Sequence, residues 1–151
     1  MNSKPFLLIP IMMLLLACKN QGSQTEPLNL KGTWQLVNAT TITNGVSVRT
    51  DYTGNQRMIK IINDTHFAFL KHDLHTAPDS ANHFDAGGGS YTLKGNQYTE
   101  HLDFYAVKNW ENKNFTFSVS LKNDTLIQQG EEKVEKENIN RTIIEKYLRL
   151  N

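Results

Sequence analysis

From Leu30 onward, apolar and polar residues alternate with a period of two rather than the 3.6 of a helix. The clearest case is Phe115, Phe117, Val119 and Leu121, interleaved with Thr116, Ser118 and Ser120. A strand with one buried and one wet face reads this way. Asn123-Asp124 follow as turn formers, and Thr125 to Gln129 return as a partner. Arg57 to Ile62 likewise reaches Asn63-Asp64, from which Thr65 to Lys71 returns, and Ser90 to Leu93 turns at Lys94-Gly95-Asn96 into Gln97 to Tyr105. Gly32 to Val37 and Gly45 to Arg49 read as the first two strands, Asp73 to Ala86 as a long polar loop, and the charged Glu131 to Asn140 as a loop or helical turn. Thr142 to Leu150 fits two descriptions. Ile143, Tyr147 and Leu150 share a helical face, while β-branched and aromatic content permits a last strand with Ile144, Lys146, Leu148 and Leu150 on one side; the strand is the reading taken. About eight antiparallel strands in one small domain predict an all-β, up-and-down barrel, because closure removes exposed edges. A sandwich is the structural rival.

The pattern before Leu30 is different. Lys4 precedes an almost unbroken apolar run from Phe6 to Leu16, which ends in Leu15-Leu16-Ala17-Cys18. The run is shorter than the roughly 20 residues a membrane span needs, and it stands where a signal peptide's core belongs. Its end resembles the bacterial lipobox, in which the chain is cut before a cysteine that is then acylated. Residues 1–17 are therefore expected to be a lipoprotein signal peptide, and residues 18–29 a lipidated Cys18 with a flexible tether containing Gly22, Ser23 and Pro27. The absence of Asp after Cys18 resembles the sorting pattern of outer-membrane lipoproteins. Cys18 is the only cysteine, so no disulfide can form within the chain and the fold must rest on its core. Removing residues 1–17 from 151 leaves 134, enough for one domain, expected over residues 30–151.

Charge narrows the partners. Sixteen Lys and Arg stand against 15 Asp and Glu, and the leader takes Lys4 with it, so the remaining chain is balanced. There is no basic stripe, and nucleic acid is not an expected partner.

Gly32-Thr33-Trp34 resembles the Gly-x-Trp that opens the first strand of lipocalins. With His66-Phe67, then Gly87-Gly88-Gly89-Ser90-Tyr91-Thr92-Leu93, then Tyr98-Thr99-Glu100-His101, the chain resembles a family of bacterial lipocalin-like lipoproteins over most of residues 30–150. The resemblance implies a lipocalin-like barrel with a binding role and names no ligand. It also implies that an arginine of the last strand packs across Trp34, with Arg149 the first choice and Arg141 the second.

Inside a small barrel side chains alternate between lumen and exterior. Tyr98, Glu100, Leu102 and Phe104 share the more apolar face of their strand and are assigned to the lumen. Tyr91 comes beside Tyr98 through the turn at 94–96, and Phe69 is added by resemblance. The expected ligand-binding set is thus Phe69, Tyr91, Tyr98, Glu100 and Phe104. Aromatic walls with one acidic group suit a ligand with an apolar body and a donor or cationic end. A buried carboxylate needs a partner, for which Lys60 and Arg57 are candidates, so Glu100 serves either a ligand or a structural ion pair. The Gly87–Gly89 run enters a strand, which excludes a phosphate loop and points to a bulge, a bend or a close approach. His72, Asp73, His75, Asp79, His83 and Asp85 are metal-ligating types, but their spacing matches no metal motif and a solvated loop is the preferred reading. Neither a metal nor a cofactor is expected.

Three functions remain open: a module binding a small, partly hydrophobic molecule in the lumen, an envelope interaction protein with a filled barrel, and an enzyme using Glu100 with His66 or His101. The sequence leaves the oligomeric state open.

Overall fold

A computed structural model describes residues 28–75 and 83–150. The predicted cut site, Cys18 and most of the tether lie outside the described residues.

Among the described residues nine antiparallel strands follow one another. They are β1 (Gly32–Thr43), β2 (Val46–Asp51), β3 (Gln56–Ile62), β4 (His66–Asp73), β5 (Phe84–Lys94), β6 (Gln97–Tyr105), β7 (Lys113–Lys122), β8 (Thr125–Val134) and β9 (Ile139–Leu150). Each of β3 to β8 pairs with the next, and β9 returns to β1, so the sheet closes into an up-and-down barrel. The all-β barrel is thus observed, with Thr142 to Leu150 inside β9 rather than in a helix.

The second stave of the barrel is split. β1 uses one edge for β9 (Thr33↔Leu150 to Ile42↔Thr142). Its other edge serves β3 near its start (Gly32↔Ile62) and β2 near its end (Thr43↔Val46). β2 and β3 are therefore two parts of one interrupted strand, and the closed ring has eight staves.

Turn chemistry explains the hairpins. Asn123 (φ 51°) turns β7 into β8, Gly95 (φ 60°) turns β5 into β6, and Asn44 with Gly45 (φ 51° and 78°) turns β1 into β2. These are left-handed conformations that asparagine and glycine tolerate. Between β3 and β4 the Asn63 Oδ1 accepts from the Thr65 and His66 backbone N–H groups (2.9 and 2.8 Å), a side chain imitating a backbone turn. Glu131 to Asn140, expected as a loop or helical turn, makes a single 3-10 turn at Glu135–Glu137, while its ends extend β8 to Val134 and start β9 at Ile139.

The end of the barrel bearing the turns at 63–65, 95–96 and 123–124 is closed. Trp34 is fully buried and donates its ring N–H to the Leu30 carbonyl (2.8 Å). Arg149, opposite it in register, lies with its guanidinium carbon 4.0 Å from the ring centroid and donates to the Lys31 and Asn29 carbonyls (2.6 and 3.3 Å). Arg141, the second choice, stands eight positions before Arg149 on β9, toward the other end, and pairs with Glu132 (2.6 Å). Leu36, Ile62, Phe67, Tyr98, Val119, Leu126 and Tyr147 fill the closed half with buried side chains.

Candidate functional site: the barrel interior

The open half of the barrel is not filled. It contains a cavity of about 170 Å³. One wall is aromatic and runs through Phe69, Tyr105, Trp110 and Phe115, successive ring centroids lying 5.9, 5.8 and 5.6 Å apart. The rest of the lining, on β3, β6, β8 and β9, is polar: Lys60, Glu100, Gln128, Glu145 and Tyr147, with Lys60 and Glu100 directly beside Phe69 and Phe115 in register.

Lys60 organises the polar wall. It is 3 % exposed, and its ammonium donates to Glu100 Oε1 (2.8 Å) and Gln128 Oε1 (3.0 Å). It also lies 5.3 to 5.9 Å from the ring centroids of Tyr147, Phe67 and Tyr98, within reach of cation–π attraction. Burial works against the ammonium; the charges of Glu100 and Glu145 and the Glu100 hydrogen bond overcome it and hold its pKa above the ordinary lysine value. A lysine held in that state is a fixed cation, not a nucleophile.

Glu145 is placed differently. It is 8 % exposed, lines the cavity, and accepts a hydrogen bond from the Tyr147 hydroxyl (2.8 Å). Among the described residues no cation stands within ion-pair distance of it. Burial pushes its pKa up, opposed by the more distant Lys60 charge and by the Tyr147 hydrogen bond. The mouth carries two further ion pairs, Lys71–Asp85 (3.3 Å) and Arg141–Glu132 (2.6 Å). Tyr105 donates to Asp85 (3.4 Å); burial, then the Asp85 charge, pushes its phenol up to about 12.

The expected ligand-binding residues separate into four groups. Phe69 and Glu100 line the cavity. Tyr98 is buried beneath Lys60, and its hydroxyl has no hydrogen-bond partner among the described residues. Burial, then the Glu100 charge, raises its pKa far above the usual phenol range. Tyr91 belongs to the closed end, where its ring lies 5.1 Å from that of Tyr98 and its hydroxyl donates to the Asn63 carbonyl (2.8 Å). Phe104 requires correction, since it is 70 % exposed and faces outward. The pairing of β5 with β6 runs Gly89↔Leu102 and then Gly88↔Phe104, so Asp103 is an extra residue that inverts the alternation. Tyr105 takes the lumenal position that period two assigned to Phe104.

The glycine run makes that bulge possible. A Cβ on Gly89 would collide with the His101 carbonyl oxygen and lie 2.7 Å from the Asp103 nitrogen, and one on Gly87 would lie 2.6 Å from the Phe69 ring. The Asp103 carboxylate in turn accepts from the Ser90 N–H (3.1 Å).

Two other candidates are resolved by geometry. Of the proposed partners for Glu100, Lys60 holds it, while Arg57 is exposed on the opposite face of β3. Neither histidine reaches Glu100: His66 contacts the Thr65 hydroxyl (2.7 Å), and His101 contacts Asn114 (2.9 Å) and Asp103 (3.3 Å) outside the lumen. Among the described residues no group of His, Cys, Asp and Glu is placed to hold a metal. Asp79 lies outside the described residues.

Reading the sequence missed Glu145, Gln128, Trp110 and Tyr105. A signal for Glu145 was present: once Arg149 is set against Trp34, period two carries Tyr147, Glu145 and Ile143 to the same inner face.

Residues 29–151 match the family described as domain of unknown function (DUF4488). No curated protein matches the chain. Among solved structures, a lipocalin-like protein from Bacteroides uniformis ATCC 8492 is similar, with 19 % identity, a TM-score of 0.48, and coverage of 80 % of this chain and 98 % of that one.

Proposed function

The chain belongs to that family of unknown function, and from its barrel we propose a membrane-anchored binding protein that holds a small, partly apolar molecule in the lumen. The observation that carries this reading is the cavity in the open half, where an aromatic wall meets a fixed polar network. Ligand sites combine apolar surface with a few placed polar groups in this way. The size sets a limit: a dry cavity of about 150 Å³ holds benzene, so about 170 Å³ admits one ring or a short chain with a polar arm.

The anchor is Cys18. Described chain begins at Leu28, and Leu30 packs at the closed end against Trp34. The residues between Cys18 and that point would tether the barrel to the bilayer. The absence of Asp after Cys18 supports the outer membrane.

Native mass spectrometry on protein extracted from its own envelope tests the binding reading. A bound molecule of small mass, lost on unfolding, is expected; an empty lumen in every preparation overturns it. Cys18→Ser is expected to leave the chain uncut or release it from the membrane fraction, and unchanged processing and retention refute the anchor.

An interaction protein is the second reading, favoured by the outer face of β4 to β6. There Leu70, Phe84 and Phe104 are exposed around Ala68, Ala86 and Gly88. An empty lumen together with a partner cross-linked at this face would replace ligand binding with docking.

A further inference from the structure

We propose that the cavity takes a small organic cation, an ammonium group on a single ring or short chain, with Glu145 as its counter-charge. The inference rests on lumenal binding and names the ligand class. Among the described residues the cavity is lined by three cations, Lys60, Lys71 and Arg141, and by four carboxylates, Asp85, Glu100, Glu132 and Glu145. Each cation has its own carboxylate: Lys60 with Glu100, Lys71 with Asp85, and Arg141 with Glu132. Glu145 is left over, and it is not a rim group whose charge water can screen, being 8 % exposed.

Its one hydrogen bond, from Tyr147, satisfies a single acceptor position of a carboxylate that offers about four. A ligand ammonium supplies both the missing donors and the missing charge. An anionic ligand would add a second uncompensated charge to the first, and a neutral one would leave Glu145 as it stands. The rest of the wall agrees, because Phe69, Tyr105, Trp110 and Phe115 offer aromatic surface to an apolar body and ring faces to a cation. Glu100 cannot take this role while Lys60 occupies it at 2.8 Å. The burial that raises the Glu145 pKa is relieved by the same ammonium, since a bound cation stabilises the ionised carboxylate.

The test uses the purified full-length chain at pH 7 and two pairs of probes, benzylamine with benzyl alcohol and propylamine with propanol, plus benzoate. Calorimetry and ligand-observed NMR report binding. Each amine is expected to bind at least about ten-fold more tightly than its alcohol, a difference of ~1.4 kcal/mol, and benzoate is expected not to bind. Glu145→Gln should bring the amines level with the alcohols. Should that variant fail to fold, as seen by circular dichroism, the amine-to-alcohol ratio on the unaltered protein decides alone. Alcohols binding as well as amines, or an amine preference that survives in folded E145Q, overturns the cation and leaves lumenal binding intact. If no probe binds and the native protein is empty, the lumenal reading fails and takes this one with it.

Discussion

Replacing Lys60 by methionine removes the buried cation that holds Glu100 and Gln128 and should be among the most damaging single changes to the fold. The side chain is almost wholly enclosed, at 3 %, and so is that of Glu100, at 10 %, so solvent screens the pair little. Breaking a buried pair by deleting one partner costs about 3–5 kcal/mol. Gln128 Oε1 also loses its donor, a further cost of about 1–3 kcal/mol. A loss of about 4–8 kcal/mol is expected, or roughly 12–32 °C in Tm for a domain of this size, read by urea and thermal unfolding. The double variant Lys60→Met with Glu100→Met should recover at least half of it, because an apolar pair of similar volume replaces a buried ion pair without leaving a charge behind. The K60M deficit should also shrink as pH falls from 7, since its uncompensated carboxylates bind protons more readily folded than unfolded. A loss below about 1 kcal/mol, or no recovery in the double variant, refutes the account of Lys60 as the keystone of the interior.

Four other outcomes are expected. Trp34→Ala should cost about 3–5 kcal/mol in urea unfolding, since the ring is fully buried, and Arg149→Met roughly 0.5–2 kcal/mol for the lost contact over it. Gly89→Ala should lose about 1–3 kcal/mol or more, because its Cβ meets the His101 carbonyl at the bulge; a neutral result would mean the β5–β6 register is wrong. Phe104→Ser should change stability by no more than about 0.5 kcal/mol, and a core-sized loss would return that ring to the lumen. Glu145 has its pKa raised above the ordinary 4.5, so its contribution is fully present below that value and is lost as pH rises through the folded value. Relative to E145Q, the unaltered protein should therefore lose stability as pH climbs above 4.5, and parallel curves for the two would show that Glu145 is not desolvated.

Strand periodicity and turn chemistry were legible because both are local. The Phe115 to Leu121 alternation and the asparagine and glycine turns depend on neighbours a few residues away. The facing of strands was less legible, because this barrel partly inverts the usual polarity. On β3 the apolar Ile59 and Ile61 point outward, Ile61 at 42 % exposure, while Lys60 points in. On β9 the more apolar set, Ile144 and Leu148, lies on the outside, and Glu145 and Tyr147 lie inside. Counting hydrophobic residues therefore ties on β3, where Met58 and Ile62 match Ile59 and Ile61, and chooses the wrong face on β9. Phe104 failed for another reason: a bulge is one residue of register, and no pattern within β6 reveals it. Its cause sits on β5, in glycines that are required only because another strand's carbonyl lies against them. Glu100 was found inside, yet its pairing with Lys60 joins residues forty positions apart and depends on closure of the ring.

The division of the interior into an oily closed half and a polar open half has a consequence for how the protein responds to cold. Unfolding raises heat capacity by about 0.45 cal/K/mol for each Å² of apolar surface exposed and lowers it by about 0.26 for each Å² of polar surface. Lys60, Glu100, Gln128 and Glu145 place polar surface where a barrel of this size would ordinarily store hydrocarbon. Their exposure offsets part of the term from Trp34, Phe67, Leu126 and their neighbours. The curve of stability against temperature is flattened accordingly, and the fold surrenders less on cooling than a purely hydrocarbon core would.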